Sequence, residues 1–576
     1  MSPQSCCKKW PLAAPLLAAL FSSPLLAQTA APVVPDAGSI LQQMQPPTPM
    51  PRPSNSTGLR IEQQGPAAPV PPGAAFEVKT LQISGNTVFD TATLQALVAD
   101  AQGRQLTLAQ LLGLAARVTD FYRSHGYPLA RAIIRAQVIR NGAVRVEVLE
   151  AHYGKIELAN KSRVDDALLH ATLAPLQGGQ IVSQAALDRA LLLLSDIPGL
   201  RLDATLKPGE AVGSSDLRID AAPGATVAGS VVADDFGSRY TGRARVGANV
   251  DLINPLRQGD VLSASVLSSG AGLNYGRLGY EALVDGNGTR VGAAYSLLRY
   301  RLGGALEALD ARGTAGVASA WARRPLMRSR EASVYGQVRV ERLQLRDRID
   351  SASVRTDRDL NTVEASLAGD ARDAWLLQDG ALNSWTVGWT GGKASFQNNA
   401  ARAADAASAR AQGGFSSWHA SLARLQNLSA ADGLYLSVSG QWAAVNLDSS
   451  QKMSAGGPSS VRAYDAGALS GDAGIEATAE LRHAFGSDSG LSGLGGIGGI
   501  WQFIAFIDSA ALRINASPWT AGPNHARLSA AGAGFNWAGP GQWQIKVSLA
   551  TSIGPRPTLL DGKGSTRAWV EVRKSY

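Results

Sequence analysis

Few residues in this chain are placed to do chemistry. The six histidines, at positions 125, 152, 170, 419, 483 and 525, include no HExxH and no paired-ligand spacing, so they nominate no metal site. The string GLGGIG at 493–498 has the letters of a loop whose backbone amides approach a pyrophosphate. It sits among strand-like segments, no helical pattern follows, and no acidic residue stands about 20 positions on. Small residues at a strand start or tight turn are the better reading. DGKGST at 561–566 lacks the spacing of a phosphate-binding loop, and Asp234-Asp235 reads as carboxylates lining a lumen or turn rather than an acid/base pair. No nucleophile–base arrangement can be nominated. The chain therefore reads as a non-enzyme with no catalytic residue, cofactor or metal, and binding or transport is favoured. One charge stands out. In SSVRAYDAGALSGDAG, residues 459–474, Arg462 lies between Val461 and the pair Ala463-Tyr464 in a glycine-broken loop. A guanidinium is a planar fork of donors suited to gripping a carboxylate, so its role depends on what surrounds the loop.

The bulk properties narrow those surroundings. At 576 residues the chain exceeds a single core, and several domains are expected. CCKKWPLAAPLLAALFSSPLLA has basic Lys8 and Lys9, an apolar stretch from Trp10 to Leu26 and small Ala27, the features of a secretory signal over residues 1–27. Cleavage after Ala30 is an alternative; three prolines in the stretch argue against the other alternative, an uncleaved membrane helix. Both cysteines, Cys6 and Cys7, fall inside it, so no disulfide is expected in the mature chain. The formal charge of +8 loses two with Lys8 and Lys9 and is spread without a dense basic run, which gives nucleic acid binding no support. No later stretch suits a membrane helix. A secreted chain can still span a membrane as a closed barrel.

Residues 28–75 hold eleven of the 28 prolines and read as an extended, mobile linker. One island, DAGSILQQMQ at 36–45, is helical in pattern: Ser39 is the expected cap, with Ile40, Leu41 and Met44 on one side. From Phe76 the texture is compact. Val78, Leu81 and Ile83 alternate; Leu108, Leu111, Leu112, Ala115, Val118 and Tyr122 have helical spacing; two strands meet at Asn141-Gly142, a strong hairpin signal. The order over 76–151 is strand, helix, helix, strand, strand, and a shorter unit of similar texture covers 152–222.

Near Pro223 the helical period ends. In GQWQIKVSLATSIG, Trp543, Ile545, Val547 and Leu549 alternate with polar or small residues, and LYLSVSGQW repeats the pattern. Many such segments, separated by turn-rich stretches, fill 223–576. A soluble sandwich would share the alternation. The ending AWVEVRKSY, with Val570, Val572 and Tyr576 on one face, argues instead for a membrane barrel, because a final aromatic resembles the signal read by the machinery that inserts outer-membrane barrels.

With these residues in hand, the chain resembles the two-partner secretion transporters of the Omp85 superfamily, the haemolysin and haemagglutinin exporters and activators. LQISGNTVF, TDFYRSHGYPLARAIIRAQVIRNGAVRVEVLEA and YGKIEL are similar to the first POTRA domain and its junction to the second. DDFGSRYTGRARVGANVDLINPLRQGDVLSAS is similar to the first barrel strands, and SSVRAYDAGALSGDAG to the loop bearing the superfamily signature. The resemblance implies a membrane β-barrel of 16 antiparallel strands over 223–576, two small α+β POTRA domains at 76–151 and 152–222, and an N-terminal plug helix on a Pro-rich linker. It also implies a loop, 454–474, that returns into the lumen with Val461, Arg462, Ala463 and Tyr464 at its tip. In WQFIAFIDSAAL the strand pattern puts Phe506 and Asp508 on one face; the resemblance makes Asp508 the barrel-wall partner of Arg462. Two glycines common in the family are Ala463 and Ala510 here, which leaves the loop-to-wall geometry open.

The implied function is capture of an unfolded, large secreted exoprotein of TpsA type by periplasmic POTRA domains and its passage through the outer-membrane barrel, with activation of that cargo left open. The expected surroundings are outer-membrane lipid, lipopolysaccharide and, during biogenesis, barrel-assembly machinery reading Tyr576; a monomer is expected. Two alternatives stay open. A barrel-assembly factor usually carries three or more POTRA units, whereas about 150 residues leave room for two; a porin-like channel would need neither those domains nor the loop.

Overall fold

The computed structural model describes residues 34–44, 59–62, 74–376, 380–485, 498–555, 557–560 and 566–576. The signal at 1–27, most of the linker, GLGGIG except Gly498, and DGKGST except Thr566 lie outside them. Residues Pro35–Tyr576 form one unit.

Its first element is a helix, Ala37–Gln42. Ser39 is not its cap. Asp36 occupies that position, and Ser39 stands three residues in, so the two side chains exchange bonds with each other's backbone: Ser39 N donates to Asp36 Oδ1 at 2.9 Å and Asp36 N to Ser39 Oγ at 3.0 Å. Aspartate and serine cap about equally well, and Asp36 takes the position because its carboxylate also reaches Arg358 and Ser449. Met44 lies in the turn beyond the helix.

The first α+β domain folds around the helix Leu108–Ser124, whose Thr107 and Gln110 form a second capping box. Leu111, Leu114, Ala115, Val118 and Tyr122 are buried. Leu108 and Leu112, expected on the same face, are exposed, because the sheet covers a narrower stripe than the apolar spacing suggests. Thr80–Ser84 pairs in parallel with Ala143–Leu149, and Arg131–Ile133 runs antiparallel to the latter's far edge. Asn141 and Gly142 both have positive φ, 54° and 70°, as the expected tight turn requires. The strand before them is shorter than expected, ending at Ile133.

Glu150 closes this domain. Its buried carboxylate accepts from Thr87 N at 2.8 Å, Val88 N at 2.9 Å and the Tyr122 hydroxyl at 2.7 Å, joining a loop, the long helix and the last strand.

The second domain orders its sheet as Leu59–Ile61, Leu200–Pro208, Ser214–Pro223, His152–Asn160, with helices Asp166–Leu173 and Gln184–Ser195 against it. The edge strand Leu59–Ile61 comes from the Pro-rich linker: it pairs in parallel with Ala204–Leu206, so this part of the linker is anchored in the sheet. The domain is seated on the barrel by two arginines of one turn. Arg328 grips Asp196 with two bonds of 2.8 and 2.9 Å, and Arg330 reaches Asp188 at 2.6 Å.

Sixteen antiparallel strands, from Val227–Asp234 to Thr566–Ser575, close into a barrel. Closure removes the unpaired edges that a bilayer would not tolerate. The alternation read from sequence turns the apolar residues outward: Val547 and Leu549 are exposed on the outer wall, while Ala550 faces in. Several strands exceed the ten or so residues that a bilayer needs, the longest being Val354–Asp373 with 20. The seam pairs Ser230–Asp234 with Glu571–Ser575, extended by mutual bonds between Gly229 and Tyr576. A side chain at Gly229 would collide with the Tyr576 ring, so this glycine leaves room for the aromatic to cover the seam.

Glu150 gives this fold a pH dependence. Burial disfavours its charge, but donation from Thr87, Val88 and Tyr122 outweighs burial and holds the carboxyl below its usual value. A group depressed on folding stabilises above its unfolded pKa, about 4.3, and loses that contribution as pH falls through the folded value. The first calorimetric transition of the full-length protein should therefore move down as pH drops below about 4.3, and Glu150→Gln should flatten that dependence while costing about 1–3 kcal/mol at neutral pH. An unchanged slope in the variant would assign the pH dependence elsewhere.

Candidate functional site

The loop between the barrel strands Asp432–Ala443 and Ala473–Phe485 folds back into the lumen. Its base is a small hairpin, Met453–Ala455 against Leu469–Gly471. Gly456 and Gly457, with φ of 98° and 112°, turn the chain inward beyond it.

At the tip, Arg462 is 7% exposed and faces Asp508, which is fully buried. Nε and Nη2 donate to the two oxygens of Asp508 at 2.9 and 2.8 Å, and the Arg462 backbone N–H adds a third bond at 3.2 Å. The structure therefore brings together the loop arginine and the wall aspartate. It adds partners that the sequence did not suggest. Nη1 donates to Glu480 Oε2 at 2.9 Å, and the other oxygen of Glu480 accepts from Arg482 at 2.7 Å. The guanidinium carbon lies 3.2 Å from the centre of the Phe506 ring. The Trp569 indole donates to the Arg462 carbonyl at 2.6 Å, tying the tip to the last strand.

Two arginines and two carboxylates balance here, and their mutual attraction and hydrogen bonds offset part of the cost of desolvating them. Val461, Ala463, Tyr464, Phe506 and Ala510 are buried in the same apolar cluster, so both alanines that replace glycines are accommodated. Asp508 and Phe506 share the inner face of Ile500–Arg513, while Ile507 between them is 56% exposed on the outer wall.

A second ion cluster holds the helix Ala37–Gln42. Arg358, on the inner wall, contacts Asp36 at 2.8 Å, Asp347 at 2.7 Å and Asp448 at 2.8 Å. Asp347 also accepts from Ala37 N at 2.8 Å and from the Tyr300 hydroxyl at 2.6 Å, and Ser449 donates to Asp36 at 2.7 Å. Ile40 is fully buried; Leu41 and Met44 are half-buried. Gly38 lies so close to Ser449 and Ser450 that a Cβ there would meet Ser449 Oγ and, at 2.7 Å, Ser450 N. Gln42 bonds the Lys452 carbonyl, so the helix touches the base of the inward loop as well as the wall. The sequence signals for these contacts are weak: Asp36 is a helix cap, and Arg358, Glu480 and Trp569 are inward positions in alternating strands, with nothing local to name their partners.

Because Arg462 serves two carboxylates, exchanging it with Asp508 would place an aspartate against Glu480. Arg462→Asp with Asp508→Arg should therefore restore loop protection only in part. Arg462→Lys keeps the charge but loses the two-pronged grip, and Asp508→Asn leaves the guanidinium with Glu480; each should loosen the loop. Removing one partner of such a buried pair typically costs about 3–5 kcal/mol. Protease protection of residues 456–468 in the assembled barrel measures this, and full protection in both single variants would mean that apolar packing alone holds the tip.

Comparison with known proteins agrees with this architecture. The profile described as "Haemolysin secretion/activation protein ShlB/FhaC/HecB" matches residues 213–497, and "POTRA domain, ShlB-type" matches residues 76–151. The heme/hemopexin transporter protein HuxB of Haemophilus influenzae is 26% identical over 491 residues, 84% of each chain. In fold, CdiB from Escherichia coli aligns with a TM-score of 0.69 at 19% identity, over 89% of this chain and 93% of that one. CdiB from Acinetobacter baumannii gives 0.62 at 15%, over 94% and 100%. The two profiles together cover more than half of the residues and fall on the α+β and barrel regions just described. The chain thus belongs to the ShlB/FhaC/HecB family of haemolysin secretion/activation proteins, outer-membrane two-partner secretion transporters whose POTRA domains lie in the periplasm.

Proposed function

We propose that this transporter exports one large exoprotein of haemolysin or adhesin type, captured unfolded in the periplasm, and that the segments inside its lumen are the gates of that export. The observation that carries the reading is that the lumen is occupied by two chain segments held through ion pairs and hydrogen bonds, one at Arg358 and one at Arg462. Both are therefore removable without breaking the wall. In this reading Ile40, Leu41 and Met44 belong to the plug, and Val461, Arg462, Ala463 and Tyr464 form the loop tip locked to Asp508 and Phe506. Tyr576 is the insertion signal.

Capture begins at the periplasmic sheets. The edge of Leu200–Pro208 is covered by only the three-residue strand Leu59–Ile61, which is continuous with the linker to the plug. An incoming extended segment can take the same main-chain bonds, because strand addition demands little of sequence. Its arrival would free the linker and, with it, the helix. Passage needs no nucleotide if folding of the exoprotein outside prevents its return.

The helix contacts give the most direct test of gating. Arg358→Ala removes the cation shared by three carboxylates, and Gly38→Leu forces the helix away from Ser449 and Ser450. Both should raise the mean conductance of single channels in planar bilayers, towards that of a deletion of residues 36–45; an unchanged conductance in the deletion would end the plug assignment. For the export reading, co-expression with a TpsA-type exoprotein found encoded in the same genome should place that protein in the medium, and Arg462→Ala should reduce the secreted amount about tenfold or more with barrel assembly intact. Retention of the exoprotein with the wild-type transporter would count against it.

A further inference from the structure

The outer wall carries a groove unrelated to either gate. It has a volume of about 800 Å³ and crosses the strands from Ala311–Arg328 to Gly413–Asn427. In register, Ala322 stands beside Val338, Val338 beside Ala365, and Ala365 beside Trp389, while Arg324 stands beside Gly336 and Gly336 beside Leu367. Small outward residues thus make the floor, with Leu326, Leu367, Val387 and the paired Trp389 and Trp418 as walls. The Trp389 indole is fixed by a 2.9 Å bond to Ser416 Oγ, so this wall is pre-shaped. Four strand spacings of about 4.8 Å make the slot roughly 19 Å long, comparable to an extended acyl chain.

One end of the groove is charged. Arg324 lines it and is exposed, and its guanidinium forms no hydrogen bond or ion pair within 4 Å with any described residue. The carboxylate of Asp285, the acidic group that feels its charge, is occupied by Asn287 N at 2.9 Å, Thr289 N at 2.8 Å and the Thr289 hydroxyl at 2.7 Å. This end is periplasmic, since the next residue, Pro325, lies with Gly288 beside Leu193 of the second α+β domain. A guanidinium at this end of the groove with no carboxylate in ion-pair contact is complementary to a phosphate diester, and basic pockets at the membrane boundary suit lipid headgroups.

We propose that this groove binds one glycerophospholipid of the periplasmic leaflet, its phosphate at Arg324 and one acyl chain along Ala322, Gly336 and Ala365. Lipopolysaccharide belongs to the opposite leaflet, and the face is sunk in the bilayer, so a soluble protein does not reach it. The site lies outside the lumen and is independent of the cargo.

The test is native mass spectrometry of the full-length protein in detergent, titrated with phosphatidylglycerol. A Cβ at Gly336 would meet only Leu326, at an ordinary 3.4 Å, so Gly336→Leu fills the slot without straining the strand. Wild type and Arg324→Lys should retain one lipid through mild activation. Arg324→Glu and Gly336→Leu should each weaken retention about tenfold or more, and Leu278→Ala, elsewhere on the outer wall, should not; heat-modifiable gel mobility confirms assembly of each. Equal retention in all five proteins means annular lipid only and overturns the site. Loss in Arg324→Glu but not in Gly336→Leu overturns the slot, because headgroup attraction then suffices.

Discussion

A charge inside a barrel has to be answered by the barrel. Arg462 sits where water is largely excluded, and its guanidinium has donors enough for Asp508 and Glu480 at once. That requirement organises the surrounding lumen. Asp508 must face inward, so Phe506 and Ala510 do too, and the aromatic ring comes to lie under the guanidinium. Glu480 in turn needs Arg482. The loop tip, two adjacent barrel strands and, through Trp569, the last strand are thereby joined at one point. The arrangement specifies position more than it adds stability, since desolvation of the four charges offsets much of their attraction.

The same logic recurs at the helix in the lumen with a different balance. Arg358 faces three carboxylates, and one of them, Asp36, arrives with the helix. The two carboxylates that remain when the helix leaves, Asp347 on the wall and Asp448 in the inward loop, still have Arg358, so the wall does not need the helix in order to remain intact. A contact that one side can abandon is what a removable plug requires. By contrast, the second α+β domain is seated by arginine–aspartate contacts from a single turn, with apolar packing at Leu193.

The linker shows how a disordered-looking composition can hide an anchored element. Prolines around Leu59–Ile61 exclude helix, but three residues between them suffice to complete a sheet edge, because the bonds come from the main chain. Composition cannot reveal this, since what decides it is an unpaired edge in a domain about 140 residues away.

What could be read from the residues alone follows from short-range physics. Period-two alternation sets which side chains face lipid, as at Val547 and Leu549, and positive φ at Asn141-Gly142 sets a turn; neither needs a distant partner. The facing of Phe506 and Asp508 was legible for the same reason, and the Arg462–Asp508 pairing was legible only through the family resemblance. Tertiary structure decided the rest. It chose Asp36 over Ser39 as cap, because Asp36 also reaches Arg358 and Ser449. It left Leu108 and Leu112 exposed, because the sheet covers only part of their helix. It gave Arg462 its second carboxylate and Arg358 its three, since groups of one charge collect around an opposite one only when closure of the barrel brings strands far apart in sequence to a single lumen.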